Sequence, residues 1–153
     1  VLFWKIIQSS PVALPTWHTN ASSRICPTIW ARCLRKSASS IWKQLLNGEC
    51  PVEFSSLGRW WGNDPKEKCQ AEIDILAEQD KNTALFGECK WTNEKVDLGV
   101  LETLVKRREL FPYKNVHYYL FAKTDFTKGC TDRASEMGNV TLVRYEDIMS
   151  GMR

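Results

Sequence analysis

Residues 72–91 read EIDILAEQDKNTALFGECKW. Two apolar runs flank the polar centre Gln79 to Thr83, which is the composition of two strands joined by a turn. Three carboxylates and a lysine (Glu72, Asp74, Glu88 and Lys90) interrupt the runs. Charge inside a sheet is costly unless it is paired or binds something. Side chains alternate along a strand with period two, so Glu72 and Asp74 share one face of the first strand, and Glu88 and Lys90 one face of the second. The same rule puts Ile73, Ile75 and Ala77 together. A hairpin turning about Lys81 pairs residues whose numbers sum to 162. Asp74 then faces Glu88, and Glu72 faces Lys90, with Cβ atoms about 5 Å apart.

Two carboxylates directly opposite one another repel. A divalent cation removes that repulsion, and Mg²⁺ or Mn²⁺ takes hard oxygen ligands from one or two carboxylates plus water and phosphate. Asp74 and Glu88 are the candidate metal ligands, with the Cys89 carbonyl as a third. Lys90, next along the face, is placed to position or deprotonate a water and to offset charge on a phosphate. The competing reading is a plain Glu72–Lys90 ion pair on a solvated face, with Asp74 and Glu88 merely exposed. Spacing alone does not choose between them.

The chain has 153 residues, 43% hydrophobic and 25% charged, the profile of one soluble globular domain. It contains no apolar run of the roughly 18–20 residues that a membrane helix needs. Lys5, Gln8 and two prolines break up the short apolar start, so no signal peptide is expected there, and a cytoplasmic location is. The six cysteines (26, 33, 50, 69, 89 and 130) show no C-x-x-C pair and no histidine at zinc spacing, so free thiols are expected. A GxxxxGK[ST] loop is absent, so no ATP site of that type is expected in this chain.

The rest of the chain reads as α/β. PVEFSSLGRWWG (51–62) is a strand, NDPKEK (63–68) a turn, and Thr92 to Lys95 a loop. Asp97 to Leu110 has helical spacing at Leu98, Leu101, Leu104 and Val105, ends in Lys106-Arg107-Arg108, and is stopped by Pro112. That basic end reads first as a solvated helix terminus that suits the dipole. Val116 to Ala122 is apolar and aromatic enough to be covered on both faces. Lys128 to Met137 is a short helix before Gly138, Val140 to Arg144 a strand, and Glu146 to Met149 a short helical end. Trp60 and Trp61 must point to opposite faces, one into the core; the other, with Arg59, could stack on a base or sugar. Lys123, just past a buried strand, is a further candidate nucleic-acid contact. His18 and His117 read as structural, and Cys89 as buried on the face away from Glu88.

Taken together, LGRWWGNDPKEK, AEIDILA, ALFGECKWTNEKVDLGVLETL and YYLFAKTDFT resemble the C-terminal domain of archaeal-type AAA+ ATPases, a domain of unknown function placed in the PD-(D/E)XK nuclease superfamily. The resemblance runs from about Gln44 to the end. It implies a restriction-endonuclease-like mixed sheet, helix–three strands–helix–strand, over a domain spanning residues 43–153. By residue, it implies Asp74, Glu88 and Lys90 as the motif Asp, Glu and Lys, with Glu72 as an accessory catalytic residue. It further implies Mg²⁺ or Mn²⁺ as cofactor, DNA as substrate, and an AAA+ ATPase domain or homologue as partner. The expectation is a Mg²⁺-dependent nuclease-like domain hydrolysing DNA phosphodiesters, impaired if its first helix is missing. The alternative is a non-catalytic DNA-binding or ATPase-docking module of the same fold; a third is a small structural domain with no nucleic-acid role.

That first helix should carry a pattern like YxGxxFEE. At its place stands IWARCLRKSASSIW (29–42), without an acid. All 18 acids lie at or after Glu49, and five of the 21 bases lie in residues 1–42, leaving 16 for the remainder. Such a basic arm could by itself be a nucleic-acid-binding tail. Yet one choice of codons for Ile29 to Trp42, read from one base earlier, spells YMGKVFEEICIKYL. Residues 1–42 are therefore expected to be an irregular, frame-shifted segment, with the first helix absent or degraded. The nucleotide sequence checks this: codons unable to spell the helix in the other frame end the idea.

Overall fold

The computed structural model describes residues 56–150. The expected frame-shifted segment, the first helix and the domain boundary after residue 42 lie outside the described residues. So do the short apolar start of the chain, His18 and the cysteines at 26, 33 and 50. Within 56–150 the chain folds as a mixed α/β domain around a five-stranded sheet.

The elements follow in the order β1 (Ser56–Asp64), β2 (Cys69–Glu78), β3 (Thr83–Lys90), α1 (Leu98–Lys106), a 3₁₀ turn (Arg107–Leu110), β4 (Asn115–Ala122), α2 (Lys128–Met137), β5 (Val140–Arg144) and α3 (Tyr145–Ser150). The strands lie side by side in chain order. β1, β2 and β3 pair antiparallel, whereas β3, β4 and β5 are parallel. This is the order of three strands, helix and strand that the resemblance implies. Parallel neighbours need crossover helices, and successive right-handed crossovers in one direction put both helices on one face. Accordingly Leu101 and Leu104 of α1 share one core with Cys130 and Ala134 of α2.

Local chemistry sets the element ends. Asp64 Oδ1 accepts from the N–H groups of Lys66 (2.8 Å) and Glu67 (3.1 Å), closing the first turn. Asp80 Oδ1 does the same for Asn82 (2.6 Å) and Thr83 (2.8 Å) in the second. Asp97 caps α1 through the Val100 N–H, and Thr127 caps α2 through the Cys130 N–H. Gly138, at φ 71°, takes the left-handed conformation that ends α2. Cys69, Cys89 and Cys130 carry free thiols. No helix among the described residues is long and apolar enough to cross a membrane.

The β2–β3 register is the expected one: Ile75↔Gly87, Leu76↔Phe86, Ala77↔Leu85 and Glu78↔Ala84 all sum to 162. The expected common face of Ile73, Ile75 and Ala77 is corrected. Between Leu76 and Ile73 on β2 lie two residues, whereas their partners Gly58 and Trp60 on β1 are separated only by Arg59. Asp74 and Ile75 thus form a β-bulge opposite Arg59, and the bulge reverses the alternation. Ala71, Ile73 and Leu76 all enter the helix-side core, although Ile73 and Leu76 are three apart. Ile75 and Ala77 are buried on the far face with Leu85, Cys89 and Phe121.

Trp60 is buried and meets Phe111 edge-on at 4.8 Å between centroids. Gly62 makes room for that indole: a Cβ there would stand 2.5 Å from the ring. Leu98, expected on the apolar stripe of α1, is exposed, because it sits in the first turn beyond the sheet's cover. Phe86, fully buried, makes edge contacts with Phe111, Tyr113 and Tyr118 and sits at the middle of the core. Phe86→Ala should destabilise the domain by about 3–5 kcal/mol, read as a lower urea midpoint at unchanged slope.

Candidate active site

Asp74 and Glu88 are the buried charged residues among the described residues. Pairing of β2 with β3 stops at Ile75↔Gly87, next to Asp74 on one strand and Glu88 on the other. Where the backbone ladder ends, the Asp74 carboxylate takes over: its Oδ2 accepts the Cys89 N–H at 3.1 Å. A carboxylate standing in for a backbone carbonyl keeps that N–H satisfied. The bulge gives Asp74 this position beside β3.

Glu88 follows Ala84 and Phe86 on the helix-side face of β3. Its Oε1 accepts from Lys90 Nζ at 2.8 Å, and its Oε2 from Arg107 Nη1 at 2.9 Å. The Glu88 side chain is only 9% exposed, Arg107 19% and Lys90 38%. Glu88 therefore lies between two cations, Lys90 and Arg107, while Asp74 is bonded to the neighbouring Cys89 N–H.

Arg107 corrects the reading of 106–108 as a solvated helix end. At Arg107 the α-helix tightens into a 3₁₀ turn, in which residues i and i+3 fall in line. Leu101, Leu104 and Arg107 are spaced by three, and both leucines are fully buried against the sheet. The guanidinium continues their stripe down to Glu88. The signal was present in the sequence as that spacing; three consecutive basic residues hid it. Of the other two, Lys106 bonds Glu67 at 2.6 Å, and Arg108 donates to the Lys114 carbonyl at 3.1 Å.

The structure does not bring Glu72 to this set. The bulge sends it to the face away from the helices, where it pairs across the ladder with Trp61 and forms an ion pair with Arg59. Trp61 is 48% exposed there. Trp61, Asn63, Gln70 and Glu72 line a shallow cleft of about 290 Å³. Arg59 and Trp61 are thus neighbours of each other, not of Glu88 and Lys90. Lys123 lies closer: its N–H donates to the Lys90 carbonyl at 3.0 Å. Its ammonium sits 5.6 Å from the Trp91 ring centroid and bonds Asn93. His117 is half-buried within β4, away from the carboxylates.

The donor set suits a hard cation. Mg²⁺ and Mn²⁺ need only one or two carboxylates and complete their shell with water and phosphate. Among the described residues no three His, Cys, Asp or Glu side chains gather. The carboxylates on hand are Asp74 and Glu88, and both oxygens of Glu88 are paired with side-chain cations.

Removing the carboxylate should strand both cations. Glu88→Ala is expected to destabilise the domain by about 2–3 kcal/mol, mostly through the partly buried Arg107. Lys90→Met, at the more exposed partner, should cost under about 1 kcal/mol. Paired urea titrations check both.

Residues 34–103 match a family described as DUF234, archaeal and bacterial proteins of unknown function. No curated protein matches the sequence. Among solved structures, the chain is similar to a protein of unknown function, AF1548, with a TM-score of 0.54 and 18% identity over 77% of this chain and 64% of that one. That similarity is one of fold. Weaker likenesses are a repair endonuclease from Pyrococcus abyssi (TM-score 0.47, 13% identity, 82% of this chain, 49% of that one) and the MspJI restriction endonuclease in complex with a 27-mer oligonucleotide (0.43, 12%, 93% and 34%). The chain thus spans less than two thirds of each of these proteins.

Proposed function

We infer that residues 43–153 form a PD-(D/E)XK nuclease-like domain that hydrolyses DNA phosphodiesters with Mg²⁺ or Mn²⁺. The observation that carries this reading is a pair of buried carboxylates on neighbouring strands, Asp74 bonded to the Cys89 N–H and Glu88 bonded to Lys90. The order of strands and helices and the resemblance of the motifs support it.

Asp74 and Glu88 would hold the cation. A bound cation supplies a Lewis acid that activates water and offsets phosphate charge. Asp74 is oriented for this by the Cys89 N–H, which fixes one of its oxygens. Lys90 is the most exposed member of the set, so its ammonium can turn from Glu88 to a phosphate oxygen or to the attacking water. In the hydrolysis, the water oxygen bonds to phosphorus, one ester P–O bond breaks, and the leaving oxygen ends protonated. Lys123, and on the other face Arg59 and Trp61, are proposed contacts to the nucleic-acid backbone and bases. An AAA+ ATPase domain or homologue is the proposed partner, and the cytoplasm the proposed location.

One observation favours a second reading: both oxygens of Glu88 already hold cationic side chains. A site that keeps those pairs is a DNA-binding or ATPase-docking module without catalysis.

Incubating the full chain with supercoiled and branched DNA separates the two. Nicking that needs Mg²⁺ or Mn²⁺, stops with EDTA, and falls about 100-fold or more in Asp74→Ala and Lys90→Ala supports the nuclease. DNA binding without nicking under either metal establishes the module instead. Nicking that survives both substitutions rejects these residues as the site.

A further inference from the structure

Glu88 is held by two cations of different kinds. Lys90 reaches it from two residues along the same strand. Arg107 reaches it from another element and is half as exposed as Lys90. The support behind Arg107 is also firmer. The turn between β1 and β2 is tied across the 3₁₀ segment on both sides of Arg107. Lys106 bonds Glu67 at 2.6 Å, and Lys66 bonds Glu109 at 2.5 Å. Leu101 and Leu104 anchor the preceding helix in the core.

A planar guanidinium on a fixed backbone loses little by staying in place, whereas a lysine ammonium on a flexible stem is readily exchanged. A divalent cation arriving at Glu88 can therefore displace Lys90 but must share the carboxylate with Arg107. Like charges a few ångströms apart repel, so Arg107 opposes the cation while it orients the carboxylate. A phosphodiester brings the negative charge that lets both remain.

We propose that Arg107 is a positioning residue for Glu88 that weakens cation binding in the free protein and so couples tight cation binding to the arrival of a phosphate backbone. The proposal rests on the metal-site reading above. By reciprocity, the cation strengthens phosphate binding by the same factor. A single positive charge roughly 6 Å from a divalent ion in water-like dielectric accounts for about a tenfold change in affinity.

The test is Mn²⁺ binding to the full chain without DNA, followed by the electron paramagnetic resonance of free Mn²⁺. Arg107→Met should tighten Mn²⁺ about fivefold or more, whereas Arg107→Lys, which keeps the charge on a flexible stem, should fall between Arg107→Met and the unsubstituted protein. A nonhydrolysable duplex should then tighten Mn²⁺ in the unsubstituted protein more than in Arg107→Met. If Arg107→Met does not fold, Arg107→Gln takes its place with the same expectation. Mn²⁺ that binds the unsubstituted protein but binds Arg107→Met equally or more weakly overturns the role of Arg107 and leaves the metal site standing. Mn²⁺ bound by none of these proteins, with or without DNA, overturns the metal site and the proposal with it.

Discussion

A carboxylate buried in a sheet cannot stay charged unless something answers it. The arrangement around Asp74 and Glu88 follows from that constraint. Asp74 is answered by backbone: its Oδ2 takes the Cys89 N–H. The β2–β3 ladder accordingly gives way at Ile75↔Gly87, because beyond that pair a side chain does the accepting. Glu88 is answered by side chains, one per oxygen. The second of them has to come from outside the strand, which requires α1 to end above β3. The length of the helix, the 3₁₀ turn that finishes it and the position of Phe111 and Tyr113 against Phe86 are all consistent with that one placement.

The strands and helices were largely legible, because period-two alternation, polar turns and capping residues are local signals. Lys128–Met137 and Val140–Arg144 have the bounds their sequence suggested, set by Thr127 and Gly138. The hairpin register was legible for the same reason: a short polar turn centred on Lys81 leaves few alternatives. What was not legible depends on partners distant in sequence. The bulge at Asp74 and Ile75 exists only relative to Arg59 on β1. Without it, Glu72 shares a face with Asp74 and belongs to the site; with it, Glu72 turns to Arg59. Arg107 was missed because charge composition outweighed spacing, so a stripe running Leu101, Leu104, Arg107 read as the terminus of a solvated face.

The carboxylates also sit at a topological boundary. β3 is antiparallel to β2 and parallel to β4. The antiparallel side supplies Asp74 through a bulge, which a hairpin tolerates easily. The parallel side supplies Glu88, Lys90 and, at the same strand ends, Lys123. Side chains at the carboxyl ends of parallel strands are open to solvent where the crossover leaves the sheet. The centre of the sheet is covered, and of Glu88 and Lys90 at that end Lys90 is the more exposed. The far face near Arg59 and Trp61 is a separate surface, joined to the first only through β2.

The difference between Lys90 and Arg107 is then more than one of residue type. Both balance Glu88, one at each oxygen. Lys90 is exposed and flexible, so it is the one free to follow a new anion. Arg107 is half as exposed as Lys90 and follows Leu101 and Leu104, which anchor α1 in the core. A ligand that brought positive charge alone would meet Arg107 still in place. One that brought positive and negative charge together would leave both the carboxylate and its two bases with a partner.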